Sequence, residues 1–173
     1  MKYRVKHDGK TKTYAVLHRT ASHLLETAKT RQEGSLLSLQ AAAVFYAFTF
    51  EAYLNHVGAE EIEIWDEIER IPHSKKLRII ARHLKLPLNR SQPPFHTIAE
   101  LFQLRDTLAH GRTRDIDVEY ETDEEPQPMA AWCIHKWEKL TPQKVDAYAE
   151  CVRGAVETVR KLGSPIKGLV KRK

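Results

Sequence analysis

The most constraining feature of this chain is one long apolar segment. Residues 36–56 include the run AAAVFYAFTF and carry apolar side chains on nearly every helical face. A helix that is apolar all round must be covered on all sides, by protein or by lipid. Gln40, Thr49 and Glu51 interrupt its most apolar part, which favours a buried helix over a membrane span. The segment therefore predicts the central helix of a helical domain.

Amphipathic segments on both sides of this helix can supply its cover. Apolar residues recur with helical periodicity in five further segments, over residues 14–31, 61–70, 74–85, 95–110 and 142–162. Between the last two, residues 116–134 alternate apolar and charged side chains around an acidic turn, which predicts a two-stranded hairpin. The expected fold class is mainly α, an up-and-down helical bundle with an inserted two-stranded β-hairpin before the last helix.

Composition predicts a single domain, 1–173, in which residues 1–12 and 164–173 are peripheral. The 173 residues are enough for a substantial core, and 42% hydrophobic with 29% charged residues is typical of a soluble globular protein. The formal charge of +5 is compatible with a polyanionic partner but does not identify one.

Cysteine and histidine spacing bears on compartment and cofactors. Cys133 and Cys151 have no CxxC spacing, which favours free thiols in a reducing compartment. The first residues lack the apolar core of a signal peptide. We therefore expect cytoplasmic localisation and no membrane partner. The nine histidines show no HExxH spacing, so we expect no metal and no cofactor.

An arginine stands where the pattern of a buried helix face predicts an apolar residue. In the helix predicted over 95–110, five apolar residues recur at the spacing of a core-facing stripe: Ile98, Leu101, Phe102, Leu108 and Ala109. Arg105 occupies a position of the same stripe, and a guanidinium is rarely buried without a partner. Either a carboxylate lies opposite, or this face lines a cleft or a subunit seam. Glu51 is the candidate partner, with Asn55 on nearly the same face of the central helix.

A histidine ends the same predicted helix. His110 lies five residues after Arg105, with Gly111 as the stop signal. Asp106 precedes His110 by one helical turn, so their side chains can meet. An imidazolium at this end of a helix would also interact favourably with the helix dipole.

A second pair with the same spacing, Arg78 and His83, has a different setting. It lies on the predicted helix that Ser74 caps, where the two side chains flank the apolar stripe on opposite sides, roughly 140° apart. This pattern predicts an ordinary solvated helix face.

The segment RDTLAH at 105–110, followed by glycine, resembles the signature of the HEPN superfamily (higher eukaryotes and prokaryotes nucleotide-binding domains). The segment directly before the motif, AELFQL, is also similar to that of many members. So is an earlier apolar helix with a carboxylate near its end, FYAFTFEAYLN. The motif covers about six residues, and the helical order extends the resemblance over residues 14–162. The resemblance implies a compact helical bundle and a metal-independent endoribonuclease. Such proteins often act as toxins or phage-defence effectors, as homodimers whose motifs face each other, and under the control of a cognate antitoxin or regulatory protein.

The resemblance also implies roles for the motif residues. RNA carries its own nucleophile, the 2′-hydroxyl, so cleavage requires proton transfer and charge stabilisation. His110 would be the general acid or base, and Arg105 would bind the scissile phosphate. Asp106 would orient His110 or hold Arg105. The products would carry a 2′,3′-cyclic phosphate and a 5′-hydroxyl.

Further expectations concern the neighbourhood of the motif. Arg112 and Arg114 could track the RNA backbone, although ordinary solvated charges explain them equally well. Arg105 and His110 point about 140° apart on an ideal helix, so a two-fold dimer would be needed to bring such groups together. The alternative function is a non-catalytic helical nucleotide- or protein-binding module in which Arg105 is structural or contacts its ligand.

Overall fold

A computed structural model of the protein describes residues 11–111 and 140–163, together with Arg4, Gly9 and Asp123. Within these ranges all regular structure is helical, in the order α1 (Thr13–Thr30), α2 (Ser35–Glu61), α3 (Trp65–Ile68), α4 (His73–His83), α5 (Phe95–Ala109) and α6 (Pro142–Gly163). The mainly α fold class is thus confirmed. The hairpin predicted over 116–134 lies outside the described residues apart from Asp123, and it stays a prediction.

The apolar segment forms the central helix, as predicted. α2 is 27 residues long and contacts each of the other five helices. Phe50 and Leu54 on α2 are completely buried. By length and composition α2 is also long and apolar enough to cross a membrane, as one such helix among the described residues. Because the other helices pack around α2 and share its hydrophobic core, the bundle accounts for the buried part of its apolar surface.

The flanking helices bury the stripes that their periodicity predicts. α4 buries Leu77, Ile80 and Ala81, and Leu84 is buried just after its end. α6 buries Val145, Val152 and Val159 along its length. The cost of ordering these helices is therefore offset mainly by apolar burial against α2, at roughly 25 cal/mol per Å² removed from water.

The helix predicted over residues 61–70 is wrong in length. α2 continues to Glu61, and only the single turn of α3 follows. The physical reason is the side chain of Trp65, which is almost fully buried and lies directly against Gly58 of α2. The chain must turn back onto α2 to bury this indole, and the turn ends the amphipathic pattern early.

Gly58 leaves no room for a larger residue. A Cβ atom added at Gly58 would overlap the indole ring of Trp65, whereas one added at Gly154 of α6 would have no atom within 4 Å. We expect Gly58→Ala to lower the free energy of unfolding by about 1–3 kcal/mol, as overpacking does. We expect the matched control, Gly154→Ala, to raise it by about 0.5–1 kcal/mol through helix propensity. Urea unfolding of both variants checks this, and equal effects would contradict the assigned packing.

Candidate active site

Arg105 lies at the border between the core and the surface. α5 turns its apolar side towards α2 and α6 and buries Phe95, Ile98, Leu101, Phe102 and Leu104. The side chain of Arg105 is 18% exposed. The last turn of α5 leaves the core, because Leu108 is only partly buried and Ala109 is exposed. The predicted apolar stripe is therefore correct as far as Phe102 but does not extend through Ala109.

The guanidinium of Arg105 is held by two carboxylates and two aromatic rings. Its Nη2 atom donates a hydrogen bond of 3.2 Å to Oε2 of Glu51, and its Nη1 atom lies 2.8 Å from Oδ1 of Asp106. The guanidinium carbon is 5.4 Å from the ring centroid of Phe102 and 5.9 Å from that of Phe48, within the range of cation–π attraction. The carboxylate expected opposite Arg105 is thus present, on the residue expected.

Glu51 also binds a second cation that sequence reasoning missed. The Nζ atom of Lys76 donates a 3.0 Å hydrogen bond to Oε1 of Glu51, and the side chain of Lys76 is only 3% exposed. A lysine is almost never buried this deeply without a partner. Its position one turn before Ile80, in the buried stripe of α4, is the signal that could have found it. We call Glu51, Lys76, Arg105 and Asp106 the Glu51 cluster, which contains two cations and two carboxylates.

The ion pair between Glu51 and Lys76 gives the cluster a testable energetic signature. Glu51→Gln removes the charge that balances a buried ammonium, so we expect a loss of about 3 kcal/mol in the free energy of unfolding. In the double variant Glu51→Gln/Lys76→Met no unpaired ammonium remains, and much of this loss should be recovered. Denaturant unfolding of the two single variants and the double variant measures the coupling. Additive effects would show that the two side chains do not interact.

An imidazole lies beside the cluster. The ring of His73 stacks on Phe102 with 3.5 Å between centroids and 8° between planes. Burial lowers the pKa of His73 below its ordinary value of 6.5, against the opposing attraction of Glu51, and the charge of Arg105 lowers this pKa further. At neutral pH the stacked ring is therefore uncharged. His73 is the first residue of α4, and nothing in the sequence pattern predicted that it would stack on Phe102.

The lowered pKa of His73 predicts a pH-dependent contribution to stability. Well above pH 6.5 the ring is neutral in both the folded and the unfolded chain, and stability is unaffected. As the pH falls below 6.5 the unfolded chain binds the proton first, so the folded state loses stability. Phenylalanine retains the stacking and cannot titrate. We therefore expect His73→Phe to become progressively more stable relative to wild type from about pH 7.5 to about pH 5. Thermal unfolding midpoints across this range provide the measurement, and a constant difference would contradict it.

His110 lies at the end of α5, as predicted. It is the C-cap residue, its backbone N–H donates to the carbonyl oxygen of Asp106 at 2.9 Å, and its side chain is exposed. A Cβ atom at Gly111 would lie 2.9 Å from the carbonyl oxygen of Thr107, so a larger residue would require the backbone to shift. The side chain of Asp106 pairs with Arg105, and no ion pair with His110 forms among the described residues. Of the two roles considered for Asp106, the geometry favours holding Arg105.

The remaining predicted residues have different outcomes. Asn55 lies one turn after Glu51, but its Oδ1 atom is buried without a hydrogen-bond partner in the described part of the chain, so it does not bind Arg105. Arg112 and Arg114 lie outside the described residues. Arg78 and His83 are both exposed on α4, which confirms the solvated face predicted for that second pair.

The described residues contain no group of three histidine, cysteine, aspartate or glutamate side chains arranged to hold a metal ion. Comparison of the chain with protein-family models, with curated proteins and with solved structures gave no match. The chemistry of the site has to be judged from its own residues. They offer a fixed, partly exposed guanidinium and an exposed imidazole on the same helix.

Proposed function

We propose that this protein is a metal-independent endoribonuclease of the HEPN type that acts as a homodimer in the cytoplasm. The observation that carries the proposal is the setting of Arg105. Its guanidinium is oriented by Glu51 at the edge of the surface, five residues before the exposed His110. A cation that stays charged and an imidazole are the two groups that cleavage by the 2′-hydroxyl requires.

The contacts of Arg105 suggest how it would bind RNA. Asp106 is half exposed, so its carboxylate can turn into solvent when a phosphate takes its place on Nη1. Glu51 is tied to the buried Lys76 and would stay on Nη2, which keeps the guanidinium fixed. A preorganised cation stabilises the negative charge that develops on the phosphorane without reorganising during the reaction.

The proton transfers fall to His110. One imidazole takes the proton of the 2′-hydroxyl as this oxygen attacks phosphorus. Another donates a proton to the 5′-oxygen as the P–O bond breaks. The products are a 2′,3′-cyclic phosphate and a 5′-hydroxyl. Two copies of the chain would supply both imidazoles.

An exposed apolar strip on α2 supports the dimer. Leu37 is 70% exposed and Phe48 is 39% exposed, while Ala41 and Val44 between them are partly exposed. Successive members are four, three and four residues apart, so they share one helical face, and Glu51 follows three residues later. Contact between two such strips would bury them and bring Arg105 of one copy towards His110 of the other.

Partners follow from the same proposal. RNA is the substrate, and Arg112 and Arg114, directly after the motif, would follow its backbone through phosphate contacts. A nuclease without a metal requirement needs another form of restraint. We therefore propose a toxin or phage-defence effector whose site a cognate antitoxin or regulatory protein covers.

A second candidate function is favoured by the same contacts. Arg105 already has two carboxylate partners, and a purely structural cluster would make them too. In that case the chain is a non-catalytic helical module that binds a nucleotide or a protein. The two candidates differ in what the exposed His110 contributes.

Cleavage of RNA in the presence of EDTA tests the proposal. We expect the purified protein to cleave single-stranded RNA and leave 2′,3′-cyclic phosphate ends. His110→Ala should lower the rate by at least about 10²-fold, because a general acid or base is lost. Its thermal unfolding midpoint should not change, since the side chain is exposed. The matched control is His83→Ala, which removes an exposed histidine with the same spacing from an arginine and should retain full activity.

Mixing of subunits tests the shared site. Arg105→Lys keeps the positive charge but loses the planar fork, so this variant should also be inactive. If each active centre needs the imidazoles of both copies, an equal mixture of wild type and His110→Ala should keep about a quarter of the wild-type rate after subunit exchange, because about a quarter of the dimers carry two His110 side chains, whereas chains that act alone would keep about half. Unchanged cleavage by His110→Ala would contradict the assignment of His110 as the general acid or base. Intact RNA with the wild-type protein, together with a lower unfolding midpoint for Arg105→Lys, would favour the non-catalytic module.

A further inference from the structure

A cavity of about 520 Å³ opens between α1, α2 and α6. None of the residues that line it belongs to the Glu51 cluster. Its volume lies within the roughly 300–1,000 Å³ of pockets that bind small molecules. The nuclease proposal makes no use of this cavity, so its role is a separate question.

Most of the cavity wall is apolar. Val152 and Val156 of α6 contribute one side, and Tyr14 and Ala15 of α1 contribute the other. Val152 is fully buried, and the ring of Tyr14 is fixed by an edge-on contact with Tyr53 at 5.2 Å between centroids. The apolar wall is therefore preformed and suits the hydrocarbon part of a ligand.

Polar groups converge at one place in this wall. The hydroxyl of Ser22 lies 3.2 Å from the hydroxyl of the buried Tyr46 and 3.5 Å from Nδ1 of His18. Burial lowers the pKa of His18, and the nearby charge of Arg153 lowers it further. The imidazole is therefore neutral at neutral pH and can hydrogen-bond to a ligand.

The charge around the cavity is positive. Arg19 and Arg153 line it, and no carboxylate does. Arg153 forms an ion pair with Glu150 on its own helix, whereas Arg19 has no ion-pair partner in the described part of the chain. An anion placed beside Arg19 would therefore meet a guanidinium that is not already neutralised.

We propose that this cavity binds a small organic anion with an apolar body. Arg19 and Arg153 receive the carboxylate, sulfonate or phosphate group. The body of the ligand lies against Val152, Val156 and Tyr14. The site is independent of RNA cleavage, because it shares no residue with the proposed active centre.

Two fluorescent probes of similar shape test the charge requirement. The anion 8-anilino-1-naphthalenesulfonate carries the proposed head group, and N-phenyl-1-naphthylamine is its neutral counterpart. We expect saturable binding of one anionic probe per chain. The double variant Arg19→Gln/Arg153→Gln should weaken the anion by about tenfold, as loss of charge-assisted contacts does, and should change binding of the neutral probe less than about twofold. Arg78→Gln, at an exposed arginine of α4, is the charge control and should change neither.

A cavity-filling variant tests the location. Ala15 lines the cavity from an exposed position, so Ala15→Trp should fold and should abolish binding of both probes. The NMR signals of the His18 ring in the wild-type protein should shift on titration with the anion, which locates the probe without any substitution. Binding that survives Ala15→Trp with an unchanged His18 signal would overturn the proposal. So would an equal loss of both probes in the double arginine variant, because charge would then not select the ligand.

Discussion

The carboxylate of Glu51 is the interaction on which the arrangement of this bundle depends. It is the acidic side chain in the middle of an otherwise apolar central helix, and it binds one cation from α4 and one from α5. Apolar burial against α2 favours compaction but is not directional. The two ion pairs are directional, because each requires a particular rotation of its helix about its axis. Glu51 therefore fixes the register in which α4 and α5 pack against α2.

Lys76 decides how the Glu51 cluster can be used. If Arg105 were the only partner of Glu51, withdrawing the guanidinium to bind a ligand would leave the carboxylate without a cation. With Lys76 on the other oxygen, Glu51 stays neutralised when Arg105 shares its charge with a phosphate. Glu51 can thus hold a structural ion pair with Lys76 and still orient Arg105 for binding a ligand. The buried ammonium of Lys76 supplies the positive charge that the structure requires.

Sequence reasoning could predict the elements whose signals are local. The all-round apolar run at 36–56, the stripes of α4 and α6, and the histidine at the end of α5 follow from the spacing of residues along one helix. The pairing of Arg105 with Glu51 was also within reach, because a charge in an apolar stripe requires an opposite charge nearby. Apart from this pairing, which joins two helices, these features depend on the spacing of residues within single segments.

The features that sequence reasoning missed depend on contacts between segments. The shortening of the helix predicted over 61–70 to the single turn of α3 follows from the fit of Trp65 against Gly58. The stacking of His73 on Phe102 requires the relative placement of α4 and α5, which no periodicity encodes. Helical spacing places the side chain of Asp106 near that of His110, one turn later. Its pairing with the adjacent Arg105 instead depends on where Glu51 holds the guanidinium.

The central helix also separates two kinds of surface. The face of α2 that carries Leu37 and Phe48 leads to Glu51, whereas Thr49 lies in the cavity bounded by α1 and α6. Since residues 48, 49 and 51 are close together on one rigid helix, a ligand that shifted α2 at the cavity would also shift Glu51, which holds the guanidinium of Arg105. The central helix is therefore one structural link between the two proposed sites, and α6, which lines the cavity and packs against α5, is another.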